Sequence, residues 1–210
     1  MSAKQLLPMS GVISVLLIIV SFIVGGETPE ADASLQEVVS YYSDHDTDLQ
    51  LAAALLGLGA FFFILFTATI ATLLRSAQGE GRPSATVSLA GGIVFTVGLA
   101  IFAGLTFTAA DVVDDIAPTG VQTLNALCVD MFFPVAVGGG AFLLGTGVGL
   151  LKTDALPTWL SWAAIVIGVV AISPIGFFGF LALGVWTLIT SVLLSMRASA
   201  SPGGPDEQRA

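Results

Sequence analysis

Charge is scarce in this chain of 210 residues: only 10% of them are Asp, Glu, Lys or Arg, where a soluble domain carries about 25%. With 55% hydrophobic residues and a mean hydropathy of +0.96, the chain has too little polar surface to cover a water-soluble globule. A polytopic membrane protein remains. Basic residues are scarcer still, 6 against 15 acidic ones for a formal charge of -9, which excludes the cationic footprint that nucleic-acid binding demands. The single cysteine, Cys128, can form no internal disulfide and reads as a small hydrophobe in an apolar run. The single histidine, His45, supports neither a His-based zinc site nor a Ser-His dyad. No cofactor and no metal set is read, and no polar stretch is long enough for a separate soluble domain.

Apolar sequence is abundant. A membrane span needs about 20 apolar residues to cross ~30 Å of hydrocarbon, and runs of that order lie at about 6–24, 49–74, 84–109 and 121–151. The last run, Thr158–Met196, is long enough for two, with Ser173-Pro174-Ile175-Gly176 as a turn between spans at about 158–173 and 175–196. The expected fold is therefore all-α: a bundle of six transmembrane helices over 1–197, followed by a disordered cytoplasmic tail over 198–210.

The positive-inside rule orients it. Lys4, Arg75, Arg82, Lys152, Arg197 and Arg209 all fall on one side of the six spans, while Glu27, Glu30, Asp32, Glu37, Asp44, Asp46 and Asp48, then Asp111, Asp114 and Asp115, fall on the other. Both termini are expected in the cytoplasm of a multi-pass cell-membrane protein with an acidic exterior. The first span also has the lysine and apolar core of a signal peptide, with Ala31-Asp32-Ala33 resembling a cleavage site. Its apolar stretch of about 19 residues is longer than the usual 7–15.

Small residues predict where helices meet. The third span carries Gly92, Thr96, Ala100, Gly104 and Thr108 at four-residue spacing and the fourth carries Ala141, Gly145 and Gly149, grooves through which two backbones approach. On this reading leucine at Gly104 or Gly145 disrupts the fold, and at Gly11 does less. The run Gly145-Thr146-Gly147-Val148-Gly149 lacks the strand and the Lys-Ser/Thr of a phosphate loop. Leu73-Leu74-Arg75-Ser76 before Pro83 is echoed by Leu150-Leu151-Lys152-Thr153 before Pro157, either a duplicated hairpin or a shared constraint on cytoplasmic turns.

Between the first two spans, Ser34-Leu35-Gln36-Glu37 has the form of a capping box, and Leu35, Val38, Val39 and Tyr42 recur at helical spacing as one apolar stripe. A short external helix at about 35–43 is expected, a lid on the outer mouth of the bundle or a float in the lipid interface. Asp44-His45-Asp46-Thr47-Asp48 begins like a calcium loop, but Leu49 and Leu55 stand where its glycine and bidentate glutamate belong.

Asp130 alone among the carboxylates interrupts an apolar run. Leaving it charged in hydrocarbon costs ~2.5–3.5 kcal/mol on a lenient scale, so it is a functional candidate. Counted from Lys152 at ~1.5 Å per residue it lies about 33 Å away, at the outer rim, and a kink at Pro134 or a break at Gly138-Gly139-Gly140 lowers it. Thr106 and Thr108 reach that height, and Asn125 and Gln122 lie a turn or two above. These residues, with Phe102, Phe107, Phe132 and Phe133 as a wall, form the expected ligand pocket: Asp130, Asn125, Thr106, Thr108 and Phe133 at its base and side, the stripe above. The plainer reading makes Asp130 a rim residue wetted from outside.

Asn125-Ala126-Leu127, Asp130-Met131-Phe132-Phe133-Pro134, Leu156-Pro157-Thr158-Trp159-Leu160-Ser161-Trp162 and Ser173-Pro174-Ile175-Gly176-Phe177-Phe178 resemble an uncharacterised family of small six-helix integral membrane proteins of actinobacterial type, a domain of unknown function. That resemblance implies the fold and no activity. The leading expectation is non-enzymatic binding of a small hydrophobic or amphiphilic ligand, a lipid or a partner membrane helix at the outer face. A proton-linked transporter using Asp130 is the alternative. An intramembrane enzyme with Asp130 or His45 as base comes third, since no nucleophile accompanies either.

Overall fold

A computed structural model describes residues 3–78, 82–153 and 155–200. Their regular structure is helical throughout: α1 (Ala3–Gly25), α2 (Leu35–Asp44), α3 (Asp46–Gln78), α4 (Pro83–Asp111), α5 (Pro118–Asp130), α6 (Phe132–Leu150), α7 (Thr158–Ile172) and α8 (Gly176–Ala200). Five segments are long and apolar enough to cross a membrane: Leu7–Gly25, Asp46–Ala77, Pro83–Asp111, Pro118–Leu150 and Gly176–Arg197. The remaining expected span, fifth in chain order, is α7, a shorter apolar helix of 15 residues, about 22 Å at 1.5 Å per residue. Helix α8 continues to Ala200, into the stretch expected to be disordered; residues 201–210, with Arg209, lie outside the described ones.

Six rods, α1, α3, α4, α5–α6, α7 and α8, pack in chain order, each on the next, and α8 returns to α1 to close a ring. Aromatic rings fill its centre. Phe63 sits 4.5 Å from Phe95 and 5.4 Å from Phe142, and Phe142 meets Trp186 edge-on at 6.1 Å. Trp186 donates its indole N–H to the Leu160 carbonyl at 3.0 Å, so its one polar atom is satisfied in the interior.

The fourth span is broken at Met131. Pro134 has no amide to give the Asp130 carbonyl four residues back, and its ring crowds that carbonyl, so one rod becomes α5 and α6 there. Gly138, Gly139 and Gly140, where a break was also conceivable, stay helical because each is pressed against a neighbour: Phe95, Leu183 and Ile172 respectively.

The close α4–α6 interface is present, on a different stripe from the expected one. Contacts run Gly98 to Val135, Phe95 to Gly138, Gly91 to Phe142 and Ser88 to Gly145, with Ser88 and Thr146 hydroxyls 2.7 Å apart. The α4 positions alternate steps of three and four, the spacing that stays on one seam in left-handed packing. Strict four-residue spacing turns about 40° further at each step, and the expected string duly leaves the seam: Gly92 and Thr96 are buried, with Gly92 against Thr67 of α3, but Ala100, Gly104 and Thr108 are exposed. A side chain at Gly104 would meet nothing within 4 Å, whereas one at Gly11 would strike Ser191 and Phe66, the reverse of the expected order. Gly145 is tightly packed, its absent Cβ 2.5 Å from the Ser88 amide nitrogen.

Candidate functional site

Helix α2 closes one end of the ring. Ser34 caps α2 by accepting the Glu37 amide at 3.3 Å, one half of the capping box. Its stripe is buried unevenly: Val38 and Tyr42 are each 1% exposed, Val39 is partly covered and Leu35 remains 38% exposed. Val38 and Tyr42 join Leu49, Ala109, Ala110, Val113 and Val121 in a second small core, so the stripe rests on the ends of α3, α4 and α5.

Asn125 is the hub of this cap. Wholly buried on α5, it accepts the Tyr42 hydroxyl at 3.2 Å and donates to the Pro29 and Glu30 carbonyls at 3.2 Å each. Gln122 donates to the Ala33 carbonyl at 3.1 Å, and Tyr41 to the Gly25 carbonyl at 2.7 Å. An otherwise irregular loop is thereby stitched to α5 through its own carbonyls, which satisfies backbone groups that burial would strand. Gly26 makes the turn out of α1 with φ of 67°, a conformation glycine adopts without steric cost. Beneath the cap lies a cavity of about 30 Å³ lined by Ser21, Tyr41, Tyr42, Phe102 and Thr106 among others, room for about one water.

Burial pushes both phenols above the usual tyrosine range, with Cys128 and Tyr41 adding to the effect at Tyr42, and with a Thr28 hydrogen bond opposing it at Tyr41. A folded-state value above the unfolded one of about 10 leaves stability unchanged below about pH 10 and removes it as pH rises further. Tyr41 and Tyr42 are the only tyrosines, so near-ultraviolet tyrosinate absorbance reports the cap alone. We expect the parent to titrate well above pH 10 in detergent, and Val38→Asp, which puts a charge into the small core, to shift the curve back toward 10. Superimposable curves would mean that Val38 does not hold α2 in place.

The expected ligand residues do not converge. Asn125 and Thr106 belong to the cap and its cavity, Thr106 donating to the Phe102 carbonyl at 3.0 Å with Cys128 Sγ at 3.9 Å. Thr108 is exposed and bonded to the Gly104 carbonyl at 2.9 Å, and Phe107 is also exposed. Asp130 is exposed, not sheltered under the lid. Helical geometry explains the split: five residues at about 100° each place Asp130 roughly 140° around α5 from Asn125.

Asp130 opens instead into a separate groove of about 610 Å³ between the α5–α6 break and the α7–α8 turn, with Phe132, Phe133, Ala136, Ser173 and Phe177 among its walls. Phe133 is 75% exposed there, and the Phe132 and Phe177 rings lie 6.3 Å apart. Of the five expected ligand residues, then, the structure brings Asp130 and Phe133 together. The α7–α8 turn as a wall was not anticipated; Ser173-Pro174 marked a turn without saying what it would face.

The opposite half of the bundle holds buried hydroxyls that the sequence reading passed over. Thr187, Thr190 and Ser191 are completely buried on one face of α8, and with Thr67 and Ser161 their hydroxyls have no hydrogen-bond partner among the described residues. Their three- and four-residue spacing along α8 was the available signal. No protein-family model, curated protein or solved structure matches the chain.

Proposed function

We propose that this chain is a six-span cell-membrane protein, with both ends of the bundle's chain on the cytoplasmic side, that binds a small amphiphile non-enzymatically at its outer face. The observation that carries this reading is the groove beside Asp130: a volume of about 610 Å³, within the range of ligand sites, mostly apolar and with one carboxylate at its edge. Arg75, Arg82, Lys152 and Arg197 lie at the end of the ring away from α2, in keeping with the positive-inside rule. Reporter fusions at Gln78 and after Arg197 are expected to read cytoplasmic and one at Asp114 external; a cytoplasmic signal at Asp114 overturns the orientation.

With α7 starting at the cytoplasmic interface, its ~22 Å stop short of ~30 Å of hydrocarbon. The groove is then a notch in the outer leaflet, reachable sideways by a lipid-like molecule. A photoactivatable neutral alkyl probe is expected to label Val129–Val137 in preference to the lipid-facing residues of α4. Uniform labelling overturns the binding reading. Transport through the bundle has less support, because Asp130 lies on the rim of a ring whose centre is filled by Phe63, Phe95, Phe142 and Trp186. Enzymatic use of Asp130 or of His45 as a base has less too: the two line different crevices, His45 with Glu27, Glu37 and Asp44, so neither can assist the other.

A further inference from the structure

We infer that the amphiphile held in the groove carries a cationic head: an alkylammonium molecule drawn from the outer leaflet, its ammonium at Asp130 and its chain along Phe133, Ala136 and Ile172. This rests on the binding role proposed above and adds the chemistry of the head. Three observations support it. The Asp130 carboxylate has neither a hydrogen bond nor an ion pair among the described residues, and no lysine or arginine lines its groove. The carboxylate stands level with the α7–α8 turn, where an uncompensated charge near hydrocarbon is expensive. Three of the wall residues are aromatic, Phe132, Phe133 and Phe177, the side-chain type whose rings attract a cation that has left bulk water. A neutral head would leave the charge uncompensated, and an anionic one would be repelled.

The outer end of the protein favours the same occupant. Asp111 ends α4 and Asp114 and Asp115 follow it, while Glu27, Glu30 and Asp32 precede α2 and Glu37 and Asp44 lie on it. Their field concentrates cations at that surface, while the groove selects those that also carry a chain. Ser173 does not compete for the head, because its hydroxyl donates to the Val170 carbonyl at 2.7 Å.

The test uses the full chain in neutral maltoside micelles and equilibrium gel filtration with radiolabelled probes. Dodecyltrimethylammonium is compared with dodecanol, which has the chain alone, and tetramethylammonium, which has the head alone. We expect one saturable equivalent of dodecyltrimethylammonium, bound about tenfold or more weakly by Asp130→Asn and recovered in part by Asp130→Glu. Dodecanol should bind more weakly and ignore Asp130→Asn, tetramethylammonium should not bind, and Asp114→Asn should behave as the parent. Dodecanol binding as tightly as the cation, with both lost in Phe133→Ala, overturns the cationic head and leaves the amphiphile groove standing. Saturable binding of no chain-bearing probe overturns both. Tight tetramethylammonium binding overturns the outer-leaflet source, and equal weakening by Asp114→Asn would assign the effect to the general surface field.

Discussion

Leucine at Gly138 is expected to abolish the folded bundle, while leucine at Gly104 on the partner helix leaves it intact. At Gly138 an added Cβ would fall on the backbone of α4, against the Phe95 nitrogen and 2.7 Å from its Cα. Backbone atoms cannot rotate aside, so α4 and α6 must separate along their whole seam, which also removes the Ser88–Thr146 contact. Overpacking a well-packed site costs ~1–3 kcal/mol and more when the neighbour is rigid. Because the ring is closed, the displaced helix also loosens from its other neighbour. Gly11→Leu should fall between the two, since it strikes the Ser191 and Phe66 side chains, which can move. Thermal melting and size-exclusion profiles in detergent measure the order; a Gly104→Leu protein as damaged as Gly138→Leu would refute the seam.

Truncation of Trp186 should be the most damaging change outside the glycines. The indole is 2% exposed, stands edge-on to Phe142 and is tied to the Leu160 carbonyl across to α7. Trp186→Ala leaves a cavity at the middle of the ring, expected to cost about 3–5 kcal/mol. Trp186→Phe keeps most of the volume and loses the hydrogen bond, for about 0.5–1.5 kcal/mol. Trp159 and Trp162 are more than half exposed, so Trp159→Phe/Trp162→Phe leaves Trp186 as the sole emitter. Its fluorescence should then be blue-shifted and shielded from acrylamide. An unchanged melting temperature in Trp186→Ala would show that the centre of the ring contributes little to stability.

What could be read in the sequence was whatever depends on neighbours along the chain. Ser34, Glu37 and the stripe through Tyr42 announced α2, because capping and amphipathic spacing are local. The break at Met131 follows from Pro134 just as locally, but competed with Gly138-Gly139-Gly140, whose packing partners lie on other helices. The direction in which Asp130 points was also available from arithmetic on the helix. Height above the membrane was the wrong coordinate, since two residues at nearly one depth can look in opposite directions. Tyr42 and Asn125, by contrast, are 83 residues apart, and no pattern within either segment names the other. The α4 stripe failed for a third reason: small residues at four-residue spacing can be found on almost any face of a glycine-rich helix, and only a partner decides which face is used.

The chain-order ring has one seam joined differently from the rest. Every other seam of the ring joins rods that are consecutive in the chain, so each of those seams can form as soon as the later rod is made. The α1–α8 contact is between the first rod and the last, with Gly11 against Ser191 and Gly184 against Val15. Without α8 the assembly is an open arc, with Gly11 and Val15 at one edge, and it becomes a cylinder only when α8 is in place. Closure is therefore a single late event, and it seals Thr187, Thr190 and Ser191 into the interior together with Trp186.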